Sequence, residues 1–129
     1  MKLEKSCGAV IFKDNQVLLI KSVKGHWSFP KGHVENNETE LETANREILE
    51  ETNVIATLNE SKRIVIRYSP FPGVLKDVVY FHGIYESGEI SRQIEEVDDI
   101  GWFDLEDALK LITFDSEKEV LIKMTKDDI

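Results

Sequence analysis

A chain of 129 residues, 41% hydrophobic and 32% charged, has the length for one domain spanning 1–129 with a closed core, and its composition gives no sign of disorder. Sixteen basic against twenty-five acidic side chains give a net charge of −9, which argues against nucleic acid as a partner but leaves room for a small phosphate ligand held through cations. The single cysteine, Cys7, and three scattered histidines exclude an internal disulfide and a Cys/His zinc pattern, while the charged start MKLEK and the absence of a long apolar run point to a cytoplasmic protein with no membrane association.

Along the chain, Ser6–Ile11 and Gln16–Val23 are β-rich runs joined by a hairpin turn at Lys13-Asp14-Asn15. Their near-continuous apolar character predicts strands covered on both faces. Lys24 to Gly32, with glycines and a proline framing Trp27 and Phe29, reads as a loop or short strand. A helix is expected from Thr39 or Glu40 to Thr52 or Asn53, with Leu41, Ala44 and Ile48 as its buried stripe. Asn53 suits the left-handed position that ends a helix, and Val54 restarts a strand. Further strands are expected around KRIVIRY and DVVYFHGIY, separated by a loop at Pro70–Gly73, and again near Ile100–Phe103. Asp104 is placed to cap a helix over Leu105–Ile112. Asp115 or Ser116 is placed to cap a last one, which turns Val120, Leu121 and Met124 inward. Together these elements predict an α/β fold, a mixed sheet sandwiched between helices.

The acidic segment Gly32–Val54 holds seven glutamates and one arginine. Glu47, Glu50 and Glu51 fall at i, i+3 and i+4 and share one helical face. Like charges at that spacing destabilise a helix unless the face is solvated or a divalent cation sits on it.

Gly32, Glu38, Arg46-Glu47-Ile48-Leu49-Glu50-Glu51 and Val54 stand at the spacing G-x5-E-x7-R-E-U-x-E-E-x-G-U, with U an aliphatic residue, and this resembles the Nudix box. Eight of nine specified positions match; Asn53 replaces the usual glycine. The resemblance implies the Nudix fold and a hydrolase that cleaves phosphoanhydrides with Mg²⁺, Mn²⁺ being a possible substitute. It implies that Glu47, Glu50 and Glu51 are metal ligands joined by the Gly32 carbonyl, and that Arg46 and Glu38 form a supporting pair. Glu96, six residues before Trp102, stands where family members carry a further carboxylate that binds metal or acts as general base, with Glu95 as its alternative.

The flanking stretches WSFPKGHVE, KDVVYF and GWFDLEDALKLITFDSEKEVL resemble the asymmetric diadenosine tetraphosphate hydrolases within this superfamily. That likeness implies polyphosphate contacts from Lys31 and His33, and phosphate or base contacts from Lys76 and Tyr80, although alternation also suits Tyr80 as a core residue beside Val78. Phe114 is a candidate for stacking on a purine, and Trp27 is a second. The implied reaction is diadenosine tetraphosphate to ATP and AMP, the ligand a small nucleotide. A nucleoside triphosphate pyrophosphatase, an RNA 5′ pyrophosphohydrolase and a catalytically silent nucleotide sensor are the alternatives, and both monomer and homodimer remain open.

Overall fold

Alternation along the first strand decides the layering. In the computed structural model, which describes residues 1–126, β1 (Lys2–Lys13) directs Cys7, Ala9 and Ile11 into one apolar cluster and Val10, with Phe12 beside it, into another. The chain then runs β2 (Gln16–Ser22), β3 (Trp27–Ser28), β4 (Lys31–His33), α1 (Glu40–Thr52), β5 (Ile55–Tyr68), β6 (Val74–Ser87), β7 (Val97–Asp104), α2 (Leu105–Leu111) and α3 (Asp115–Met124).

The strands form one mixed seven-stranded sheet. β1 and β6 pair in parallel from Lys2 opposite Val74 to Phe12 opposite Ile84, and β6 pairs antiparallel with β5. The early half of β1 takes β4 on its other edge, with Ser6 opposite His33 and Gly8 opposite Lys31; its far end takes β2 through the turn at Asp14, whose φ is 55°. β2 in turn carries β3 and β7. Helix α1 covers one face, where Ala44 and Ile48 pack with Cys7, Ala9, Ile11, Leu18, Val79 and Phe81. Helices α2 and α3 cover the other, where Ala108, Ile112, Val120, Leu121 and Met124 meet Val10, Val17, Leu19 and Tyr80. This is the expected α/β/α arrangement.

Several boundaries differ from those read in the sequence, each because a neighbouring ladder extends the element. β1 starts at Lys2 since its parallel partner runs back to Val74, and β7 starts at Val97 since Ser22 pairs with it. Leu41 is only half-buried. The covered stripe of α1 runs instead through Thr43, Ala44, Glu47, Ile48, Glu51 and Thr52, because β4 lies over the glutamate flank. Asp104 takes the capping position of α2 as expected, but neither of the last two helices has a side-chain capping hydrogen bond. The Asp104 carboxylate accepts from Gln16 Nε2 at 3.3 Å, and Phe114 occupies the capping position of α3 with Asp115 and Ser116 inside its first turn. An acid in a first turn still interacts favourably with the helix dipole. No helix among the described residues is long and apolar enough to cross a membrane.

Candidate active site

Helix α1 is fixed at both ends by its own sequence. Thr39 Oγ1 accepts from the Glu42 N–H at 3.1 Å, and the Glu42 carboxylate accepts from the Thr39 N–H at 2.9 Å, a reciprocal capping box. Asn53 closes the other end in the left-handed region (φ 64°), donating its N–H to Leu49 O and its Nδ2 to Glu89 O. Asparagine tolerates this conformation better than other residues that carry a Cβ, so the glycine usual at this position is replaced without loss of the turn.

Between these ends Arg46 gathers the acids. Its Nε and Nη2 bind both oxygens of Glu38 at 2.7 and 3.0 Å, Nη1 reaches Glu47 at 2.7 Å and Glu50 at 3.2 Å, and Nη2 also donates to the His33 carbonyl at 2.9 Å. The guanidinium fork thereby ties the loop before α1, strand β4 and the helix face into one unit. Glu38, hydrogen-bonded to this fork, is held down to about 2. Gly32 is packed against the same face: a Cβ there would lie 2.0 Å from the Glu47 carboxyl carbon, so any other residue would displace that carboxylate.

Glu47 and Glu51 are both buried, 8% and 5% exposed, whereas Glu50 is open to solvent. Burial raises Glu47 against the opposing pull of Arg46. Glu51 is pushed up to about 8 by burial and by the charge of Glu47, partly offset by a 2.9 Å hydrogen bond from the Lys31 N–H. Two buried carboxylates repel each other here and only Glu47 is paired with the arginine, which leaves the face short of positive charge.

The Lys31 contact leads from this face into a cleft of about 650 Å³. Its lining includes Ser28, Lys31, Tyr68, Phe71, Phe114 and Glu117, drawn from β3, β4, the end of β5 and the start of α3. Phe114 is about half-exposed and meets His26 edge-on at 4.9 Å. Lys24 lines the same cleft, and Lys76 lies close enough to Lys31 that their charges interact. An acidic helix face thus adjoins an aromatic-walled cleft with lysines at the join, a layout matched to a ligand carrying both phosphates and a flat ring.

A family model described as the NUDIX domain matches residues 2–124. The chain belongs to the Nudix family. It is 34% identical over 137 residues to the asymmetrical bis(5′-nucleosyl)-tetraphosphatase of Mus musculus and 32% identical over 133 residues to that of Sus scrofa, in each case covering 91% of this chain and 90% of the relative. Among solved structures, that of a C. elegans Ap4A hydrolase binary complex superposes with a TM-score of 0.85 at 28% identity, over 95% of both chains. Nudix hydrolases act on small nucleotide substrates and generally use divalent metal ions.

Within this Nudix site the box residues Gly32, Glu38, Arg46, Glu47, Glu50 and Glu51 stand together on α1 and the strand and loop before it. Among the described residues no three acidic or histidine side chains converge on one point, because Arg46 draws Glu47 and Glu50 while the Lys31 N–H holds Glu51. The donor chemistry nevertheless fits a hard divalent cation: carboxylate oxygens on one helical turn, two of them buried with too little positive charge beside them. Glu96 is exposed just before β7, and its charge acts on Glu47, Glu51 and His33; that of Glu95 is not among the influences on any of them. The His33 carbonyl shares the Arg46 fork with the carboxylates, and burial followed by the Lys76 charge lowers its imidazole.

Two aromatic assignments are corrected. Tyr80 has no exposed surface and cannot touch a ligand in the cleft; its hydroxyl donates to Glu117, and burial together with that carboxylate raises it well above a free phenol. Trp27 packs edge-on against Phe103 at 5.4 Å, beneath α2, and is no part of the cleft wall. Glu117 and Ser28 were not singled out from the sequence. The signal for Glu117 is there, since positions 117, 120, 121 and 124 form an i, i+3, i+4, i+7 stripe whose first member alone is charged.

Proposed function

We propose that this chain hydrolyses diadenosine tetraphosphate to ATP and AMP with Mg²⁺, for which Mn²⁺ can substitute. The reading is carried by one juxtaposition: the carboxylate face of α1 joined, through the Lys31 N–H on Glu51, to a cleft of about 650 Å³ walled in part by aromatic side chains. The tetraphosphatases of mouse and pig, alike along nine-tenths of their length, support the choice of substrate.

In this reading Glu47, Glu50 and Glu51, with the Gly32 carbonyl and Glu96, hold the divalent ions, which when bound neutralise phosphate oxygens and acidify water. Lys31, His33 and Lys76 add positive charge along the polyphosphate, and Phe114 stacks on one adenine. A carboxylate among Glu50, Glu51 and Glu96 takes the proton from the attacking water. Glu50 and Glu96 face solvent and are open to that water, whereas Glu51 is anchored by the Lys31 N–H. Water adds to one phosphorus, one bridging P–O bond breaks, and the leaving phosphate departs as part of ATP or AMP. Arg46 and Glu38 touch no substrate in this account; they hold the carboxylates in place.

Incubation with diadenosine tetraphosphate and Mg²⁺ in ¹⁸O-water tests the proposal. ATP and AMP are expected in equal amounts, with one ¹⁸O in one of them. Failure to form them, while another nucleoside polyphosphate turns over far faster, would rule the substrate out.

A further inference from the structure

Glu117 is a carboxylate with 6% of its surface exposed, on the apolar side of α3, and it faces the cleft. A charge so placed is costly unless its oxygens are satisfied. Protein groups satisfy only one of them. The Ser28 hydroxyl donates to Oε2 at 2.5 Å and the Tyr80 hydroxyl donates to the same oxygen. Each hydroxyl has one proton and both are spent there, so the carboxylate stands as an acceptor in a fixed orientation. Among the described residues Oε1 accepts from nothing, and the residue lines the cleft three positions after Phe114.

Lys24 and Lys31 bring positive charge into the cleft and Lys31 adjoins the box carboxylates, while Phe114 and Glu117 supply an aromatic ring and a free acceptor to its wall. A nucleotide bound here turns its phosphates toward the lysines, because phosphate beside Glu117 would meet like charge. Its base then lies beside Phe114 with an edge directed at Oε1. A carboxylate cannot donate, so the part of the base that meets it must be an N–H.

We propose that Glu117 is a specificity-determining residue that accepts a hydrogen bond from the 6-amino group of an adenine stacked on Phe114, and that disfavours a purine with no N–H on that edge. Ser28 and Tyr80 act as positioning residues that hold the carboxylate toward the ring. The inference rests on the nucleotide reading above and adds to it the rule by which the base is chosen. Stacking alone accepts any purine, whereas an acceptor left facing a ring edge with no N–H disfavours it.

The test compares AMP with purine riboside 5′-monophosphate, which carries hydrogen at position 6 and has no N–H on that edge; neither has an anhydride to cleave. Calorimetric titration of the wild-type protein is expected to show AMP bound at least about tenfold more tightly than purine riboside 5′-monophosphate. In Glu117→Gln the amide can either accept or donate, and the ratio is expected to fall to within about twofold, with the melting curve confirming that the variant is folded. Equal affinity of the wild type for the two nucleotides, no saturable binding of AMP, or a tenfold preference that survives in folded Glu117→Gln would overturn the inference. The wild-type comparison requires no variant. Discrimination without cleavage of diadenosine tetraphosphate would leave Glu117 in its role and remove the substrate; cleavage without discrimination would do the reverse.

Discussion

The carboxylate face of α1 and the cleft beside it are built on opposite plans. The face is local: Glu38, Arg46, Glu47, Glu50 and Glu51 lie within fourteen consecutive residues, and one guanidinium touches four of the carboxylates among them and just before. The cleft is assembled from Ser28, Tyr68, Phe71, Phe114 and Glu117, which meet only because β3, β5 and α3 converge. The two plans separate two tasks. Chemistry on phosphates requires charges at fixed mutual spacing, which a single helix provides; recognition of a base requires walls from several directions, which only the folded sheet provides.

Substitutions in the two regions should differ in kind as well as in size. The largest effect is expected for Glu50→Gln, which removes a charge from the solvent-facing side of α1 without opening the core. Turnover should drop by about 10² to 10³, while the melting temperature stays within about 2 °C of wild type. A steady-state assay paired with a thermal melt checks this; retained activity would detach Glu50 from the metal platform. Phe114→Ala should act on the other region, raising KM about tenfold with little change in kcat, since stacking acts on bound substrate and transition state alike. An equal loss of kcat would mean that the two regions are not separable.

The smallest effect concerns how α1 is attached. Glu40, in its first turn, binds Arg63 of β5 through both oxygens at 2.7 Å and Lys5 of β1 at 2.8 Å. Arg63 and then Lys5 hold it down to about 2, below its ordinary 4.5. Its contribution to stability is thus complete above about pH 4.5 and is lost as the pH falls from there toward 2. Glu40→Gln is expected to melt a few degrees below wild type at pH 7 and together with it near pH 2. The gap should narrow in high salt because Lys5 and Arg63 are each more than 40% exposed. Melts across pH 2–7 at two salt concentrations measure it.

The same division explains what could be read before the structure was in hand. The box, the helix carrying it and the left-handed turn at Asn53 were legible because helical periodicity turns sequence spacing directly into spatial spacing. The capping box Thr39–Glu42 was equally present in the sequence, as T-x-x-E before an apolar stripe, and went unread. The aromatic residues were harder, since residue type does not say which way a ring faces. Phe114 lies open on the cleft, whereas Tyr80 follows the alternation of β6 inward and Trp27 is taken up by Phe103. Glu117 was hidden differently: a lone charge in an apolar stripe is visible, but its purpose depends on Ser28 and Tyr80, respectively 89 and 37 residues away in the chain.

The parallel pairing of β1 with β6 also sets when the site can come into being. Residues 2–12 find their partners at 74–84, a constant offset of 72 positions (74 − 2 and 84 − 12), and α1 packs on the surface which that pairing creates. Closing so long a loop precedes any gain from the contacts it brings, which places such topologies among the slower folders. During synthesis the entire box is translated while the strand needed to complete its foundation is still to be made. The acidic helix consequently spends that interval without a finished floor, and the catalytic machinery of this hydrolase is set by the last central strand to arrive.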